Sequence, residues 1–262
     1  MNHNLLRVSS DFKTANSESN SNFSVAYNNI GLLQGITRCV MKSADIPNVF
    51  YNIDNIGYNF SNTGNNTLTW TDPLNVTALT TIPPGQYNIT QLLSLINTAF
   101  NAAYTGAVSL ILNPLTQKIE ISNTSGLFFG ISINSTIAPY LGMLSAVPWT
   151  TVPFVAFAGF PNLSGLQEIY VTSQKISDSS NMVVASNTMY PVILNIQIDK
   201  PFGEWIHYAS QHPEIDDIEY PSISQGTNIQ FVDIQLRDRW GNIVDLQGLP
   251  FNIIIKCYHN LN

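Results

Sequence analysis

Four histidines, His3, His207, His212 and His259, and two cysteines, Cys39 and Cys257, are the side chains best suited to hold a metal or attack an electrophile. A metal site needs imidazoles or thiolates that converge, which a sequence encodes as H-x-H, H-E-x-x-H or C-x-x-C. None of these spacings occurs, and there is no G-x-S-x-G elbow, P-loop or dinucleotide fingerprint. The scattered histidines also disfavour a cupin-type enzyme, whose metal ligands cluster inside the barrel. Cys257 and His259 therefore read as a structural thiol and a surface imidazole, and both cysteines as buried reduced thiols. The acidic run Glu214, Asp216, Asp217 and Glu219 offers oxygen ligands for a hard cation, but it lacks the spacing and glycine of an EF-hand loop. Short charge runs usually stay hydrated, so a solvated loop is expected there. The expectation is a non-enzymatic chain with no catalytic residue, no metal and no cofactor.

Contact is better represented than chemistry. The stretch Val147 to Phe160 carries Trp149, Phe154, Phe157 and Phe160 but is broken by Pro148 and Pro153, with Pro161 just beyond it. It is too short and interrupted to span a bilayer, which takes about 20 apolar residues. The simpler reading is a buried extended connection, since large aromatics usually sit inside; the sharper one is a subunit contact. Trp240, in the turn Arg237-Asp238-Arg239-Trp240-Gly241-Asn242, caps the core or anchors a neighbour. Trp149, Phe154, Phe157, Phe160 and Trp240 are the candidate subunit-contact residues.

Composition points the same way. Of 262 residues 44% are hydrophobic and only 10% charged, against the ~25% charged expected of an ordinary soluble domain. A surface of Asn, Ser, Thr and Gln suits a protein packed against neighbours, where desolvating charges is costly. The net charge of −7, with no cluster of Lys and Arg, argues against sequence-specific nucleic-acid binding. Residues Met1 to Ser10 contain no apolar segment behind a basic one, so a cytosolic origin is expected. The eight N-x-S/T sequons, at Asn22, Asn59, Asn65, Asn75, Asn88, Asn123, Asn134 and Asn162, then read as by-products of an Asn-rich chain.

The elements that position these residues are mostly strands. Residues 1–22 are polar and mixed and read as an N-terminal arm. Short β-forming runs follow at Phe23 to Tyr27, Gly35 to Val49, Asn55 to Phe60 and Thr67 to Trp70, with Asn62 to Asn65 as a hairpin connection. Between Asp72 and Glu168 the only charged side chains are Lys118 and Glu120. That shift predicts an insertion domain over 73–160, set within a discontinuous domain of 23–72 and 161–262. In the insertion, Asn88 with Gln91 predicts a capping box, and Leu92, Leu95, Ile96, Ala99 and Phe100 an apolar helical stripe. Strands at Val108 to Leu112 and Lys118 to Ser122 flank an Asn-Pro turn. Later strands are expected at Gln167 to Thr172, Val192 to Ile198, Phe231 to Leu236 and Phe251 to Tyr258, and the Arg237 to Asn242 turn leads the chain back toward Ile243 to Leu246. The fold class is all-β: two strand-rich blocks around a small α+β insertion domain, a map that fits a sandwich or a jelly roll.

Several local patterns converge on one family. Asp199-Lys200-Pro201-Phe202-Gly203, Asn228 to Leu236, the Arg237 to Asn242 turn, Val244-Asp245-Leu246 and Gly248 to Ile255 resemble the C-terminal half of the penton (vertex) capsid proteins of virophages and Polinton-like viruses. Ile82-Pro83-Pro84-Gly85-Gln86-Tyr87 leading into a Leu-rich helix, then Ile137-Ala138-Pro139-Tyr140-Leu141-Gly142, resembles a module of the same proteins. The resemblance implies a single jelly-roll sandwich of two facing antiparallel sheets, and a homopentamer at icosahedral five-fold vertices of the virion, contacting the major capsid protein and other minor capsid proteins and made in the host cytoplasm or viral factory. The alternative is a receptor- or carbohydrate-binding jelly roll of a spike or minor capsid protein, in which Trp70, Trp149, Trp205 or Trp240 stacks on sugar rings.

Overall fold

A computed structural model describes residues 2–15, 17–26, 36–55, 64–176, 182–185, 188–210 and 231–259. The expected Asn55 to Phe60 strand, the start of the Asn62 to Asn65 connection, His212 and the acidic run at 214–219 lie outside the described residues. The strands are β1 (Asn2–Ser9), β2 (Asn22–Ala26), β3 (Ile36–Pro47), β4 (Thr67–Thr71), β5 (Thr77–Thr81), β6 (Val108–Leu112), β7 (Ile119–Asn123) and β8 (Phe129–Ile131). They continue as β9 (Val147–Thr150), β10 (Phe154–Ala156), β11 (Glu168–Thr172), β12 (Met182–Ala185), β13 (Thr188–Gln197), β14 (Trp205–Ala209), β15 (Phe231–Arg237) and β16 (Asn252–His259). One α-helix, α1 (Ile89–Tyr104), follows β5. The chain divides into two compact units, Met1–Phe50 with Leu166–Asn262, and Tyr51–Gly165.

The first unit is the jelly-roll sandwich. One antiparallel sheet has the order β1-β16-β3-β14 and the other β12-β13-β11-β15-β2. Period-two alternation builds each face: in β15, Val232, Ile234 and Leu236 are fully buried while Asp233, Gln235 and Arg237 are partly exposed. Ile253, Ile255 and Cys257 of β16 do the same for the other sheet. The sheets meet through side chains such as Phe23, whose ring lies edge-on to Phe251 at 5.3 Å. Each such aliphatic or aromatic side chain contributes about 1.5–3 kcal/mol by leaving water.

Residues 2–9, expected as part of a loose arm, form β1 instead, paired with β16 from Asn2↔His259 to Ser9↔Asn252. The pairing satisfies backbone groups whatever the side chains are, so a polar composition does not exclude it. Ser10 fastens the end of the strand: its N–H donates to the Phe251 carbonyl (3.1 Å) and its Oγ accepts from the Phe251 N–H (3.0 Å).

The second unit holds the sheets β5-β4-β8-β9 and β10-β7-β6 together with α1. The predicted capping box is present: Asn88 Oδ1 accepts from the Gln91 N–H (2.9 Å) and Gln91 Oε1 from the Asn88 N–H (3.0 Å). The buried stripe is Leu92, Leu93, Ile96, Phe100 and Tyr104, whereas Leu95 is 39% exposed. The buried arc thus includes Leu93 rather than Leu95. Phe100 packs edge-on against Trp70 at 5.1 Å and against Phe129 at 6.4 Å, which ties α1 to β4 and β8.

The insertion predicted to begin at 73 belongs to a unit beginning at Tyr51 and ending at Gly165. β4 hydrogen-bonds to β5 and β8, and Ile53 forms a bridge with Gly85, so residues before 73 are built into these sheets. The loss of charge after Asp72 marks a hairpin turn, in which the Asp72 carboxylate accepts from the N–H groups of Leu74 (2.9 Å) and Val76 (2.8 Å).

Candidate subunit-contact surface

The stretch from Val147 to Phe160 is two short strands, not a buried connection. Val147 and Phe157 are buried at 5% and 3% exposure, but Trp149, Val152, Phe154 and Phe160 are 42%, 46%, 50% and 65% exposed. β9 places Trp149 at the edge of one sheet, and β10 places Phe154 at the edge of the other. Phe157 turns inward, where its N–H donates to the Ile119 carbonyl (2.8 Å) and its ring joins the unit's core. Phe160 lies under the Lys118 ammonium, 5.4 Å from its ring centroid, and Lys118 Nζ also donates to the Ala158 carbonyl (2.7 Å). The backbone before Phe160 crosses Gly142 closely: the Gly159 N–H donates to the Gly142 carbonyl (2.8 Å). Gly142 has a φ of +78°, and a Cβ there would stand 2.6 Å from the Gly159 oxygen.

Trp149 has a partner that spacing did not single out. Its ring stacks on Phe128 at 4.3 Å and 27°, and its indole N–H donates to the Asp72 carbonyl (3.2 Å). Phe128 is 43% exposed while the next residue, Phe129, is fully buried. Successive strand residues point to opposite faces, so the adjacent pair Phe128-Phe129 was the available signal that one ring faces out. Leu74, Val76, Leu79 and Leu127 are exposed as well.

This unit carries few charges to accompany that apolar surface. Between Tyr51 and Gly165 the charged residues are Asp54, Asp72, Lys118 and Glu120. Asp54 and Glu120 are buried, and Glu120 accepts from Asn113 Nδ2 at 2.8 Å. Asp72 and Lys118 are engaged in the turn and backbone contacts already given.

In the first unit Trp240 is half-buried in its turn, with the Arg239 guanidinium 5.1 Å from its ring centroid. Asp238 organises the turn from a position of 1% exposure. Its carboxylate accepts from the N–H groups of Trp240 and Asn242 (both 2.8 Å) and from Asn242 Nδ2 (2.9 Å). Burial pushes its pKa up, against those hydrogen bonds, which pull it down. Burial likewise lowers the pKa of Arg237, whose guanidinium lies 3.9 Å from the Tyr190 ring centroid. The four tryptophans differ: Trp70 is core at 5% exposure, Trp205 is 41% exposed, and Trp149 and Trp240 are as described.

Among the described residues no group of three or more His, Cys, Asp and Glu is placed to hold a metal ion. No helix among them is long and apolar enough to cross a membrane. His207 pairs with Asp45 across β14 and β3 (Nδ1···Oδ1 2.7 Å) on an exposed edge.

No curated protein matches the sequence. Among solved structures, the crystal structure of the SeMet-labelled mavirus penton protein matches with a TM-score of 0.52 at 9% identity, covering 98% of this chain and 99% of that one. At that identity the likeness is one of fold, and it spans both chains end to end. The expected single jelly roll is thus the fold the chain adopts, in common with the mavirus penton protein. Residues 38–240 match the model of DUF5901, described as a family of unknown function. The match takes in most of the chain, and the protein therefore belongs to the DUF5901 family.

Proposed function

We propose that this chain is a structural virion protein, a penton that closes the five-fold vertices of an icosahedral capsid as a homopentamer and contacts major capsid protein capsomers. The observation that carries the reading is the end-to-end likeness to the mavirus penton protein, 98% of one chain on 99% of the other. A five-fold ring uses heterologous contacts, so different faces of one subunit are buried at once. The Tyr51–Gly165 unit suits such burial, because it offers exposed Trp149, Phe154 and Phe160 with few ions to desolvate. In this reading Trp149, Phe154, Phe160 and Trp240 serve as contacts and Phe157 supports them from within. The protein works by assembly rather than catalysis, in the capsid vertex, with other minor capsid proteins as further neighbours.

The test is negative-stain imaging of the purified full chain. Five-fold class averages are the expected result, and fields of single subunits at all concentrations would count against the reading. One observation favours a second reading, saccharide binding: the exposed stack of Trp149 on Phe128 offers a flat apolar face to a sugar ring. Glycan-dependent quenching of tryptophan fluorescence that is lost in Trp149→Ala, in a chain that forms no rings, would favour that reading.

A further inference from the structure

Cys39 and Cys257 are far apart in sequence but directly opposite in the fold. β3 and β16 are the two central strands of the sheet β1-β16-β3-β14, and their antiparallel register pairs Cys257 with Cys39. Residues so opposed have Cα atoms about 4.5–5.5 Å apart, inside the ~4.4–6.8 Å range that a disulfide bridges. The two sulfurs already lie 3.3 Å apart, and both side chains point into the sandwich at 1% and 0% exposure.

We infer that Cys39 and Cys257 form an intrachain disulfide latch, closed by a peroxide, that ties the last strand of the jelly roll covalently to its central partner. In the reduced protein the Cys39 S–H donates to Cys257 Sγ. That hydrogen bond lowers the Cys257 pKa, and together with burial it raises that of Cys39 well above its usual value. Cys257, the acceptor of the S–H···S hydrogen bond, takes the part of attacking sulfur in this inference. As its thiolate it displaces hydroxide from hydrogen peroxide, the O–O bond breaks, and the released hydroxide takes up the thiol proton as water, leaving a Cys257 sulfenic acid. The Cys39 sulfur then attacks the sulfenic sulfur, the S–O bond breaks, and the Cys39 proton leaves with the hydroxide as a second water. The net change is two thiols oxidised to one disulfide and one peroxide reduced to two waters.

Burial sets the character of the bond. At 1% and 0% exposure the pair is closed to thiol reductants of protein size, so in this inference the latch, once made by a small peroxide, persists until a small-molecule reductant is added. The cross-link joins residues near opposite ends of the chain, and the unfolded state it constrains encloses both units. The inference does not depend on the capsid reading, because it rests on the register of β3 and β16 and on the approach of the two sulfurs.

The experiment takes the full chain, purified under reductant and desalted, and exposes it to hydrogen peroxide without denaturant. Remaining thiols are then alkylated in denaturant and the peptides mapped. The expected result is the joint loss of both thiols, a linked Cys39–Cys257 peptide, and a higher thermal midpoint that returns to its starting value with reductant. The unfolded chain, in which thiols meet peroxide freely, controls for the reagent. Recovery of both alkylated cysteines from the native protein would overturn the latch, as would sulfinic acid or interchain links in place of the intrachain bond. Cys257→Ala supplies a second check: the chain is expected to yield no intrachain link, and an unchanged rise in midpoint on oxidation would place the effect elsewhere.

Discussion

Phe154 and Phe157 are three residues apart and chemically identical, and their truncations are expected to have opposite consequences. Phe157 is 3% exposed and part of the unit's core. Burying an aromatic side chain removes roughly 150–250 Å² from water, which at about 25 cal/mol per Å² is worth ~4–6 kcal/mol before allowance for the alanine that remains and for a compact unfolded state. Phe157→Ala should therefore destabilise by about 3–4 kcal/mol, within the range of measured aromatic truncations. Phe154 is half-exposed on an edge strand, and Phe154→Ala should cost only about 1 kcal/mol. Urea unfolding followed by circular dichroism measures both, with an unchanged slope as the sign that the same surface is exposed on unfolding. In the assembly assay the order reverses: Phe154→Asp is expected to leave a folded chain that no longer forms rings. Equal destabilisation by the two alanine substitutions, or rings that survive Phe154→Asp, would refute the division between core and contact drawn along this segment.

Other substitutions test single features. Asn97 satisfies the edge of β6 from the helix, donating to the Leu110 carbonyl (2.9 Å) and accepting from its N–H (2.7 Å); Asn97→Leu should cost roughly 1–2 kcal/mol and raise concentration-dependent scattering, because the strand edge opens. Asp238→Ala should cost about 2–4 kcal/mol in denaturant unfolding by leaving the Trp240 and Asn242 N–H groups without an acceptor. Asp238→Asn should cost less than the alanine substitution, since it keeps one acceptor oxygen and removes a charge that burial disfavours. Tyr104 donates to the Thr71 carbonyl (2.9 Å), and burial, with Asp72 nearby, pushes its pKa from 10.0 up to about 12. A phenol raised in this way contributes stability that is complete below pH 10 and is lost as pH rises through 12, about 2–3 kcal/mol in all. Thermal midpoints of wild type and Tyr104→Phe over pH 9–12 should show a steeper alkaline fall in the wild type.

What could be read in the sequence was local. The Asn88–Gln91 box, the alternation of Val232, Ile234 and Leu236, and the Asn113 turn, whose Oδ1 accepts from Leu115 (2.8 Å) and Thr116 (3.1 Å), each encode their structure within a few residues. Features created by distant pairing were not legible. β1 carries mixed polarity and becomes a strand because β16 lies beside it. The juxtaposition of Cys39 and Cys257 follows from the register of β3 and β16, which no spacing within either strand reveals. On α1 the periodicity placed Leu92, Ile96 and Phe100 but set the stripe rotated about the helix, since Leu93 and Tyr104 are buried and Leu95 is not. Among the exposed rings, aromatic content located Trp149, Phe154 and Phe160, while alternation was needed to separate buried Phe157 and to find Phe128. Residue patterns left a sandwich and a jelly roll open, and the family resemblance supplied the choice between them.

The central claim is that copies of this chain close a five-membered ring. The most direct measurement is the mass of the purified full chain by multi-angle light scattering over a wide range of concentrations. The account predicts a species of five times the 29.0 kDa chain mass, populated increasingly as concentration rises. A mass of 29.0 kDa at every concentration would contradict it.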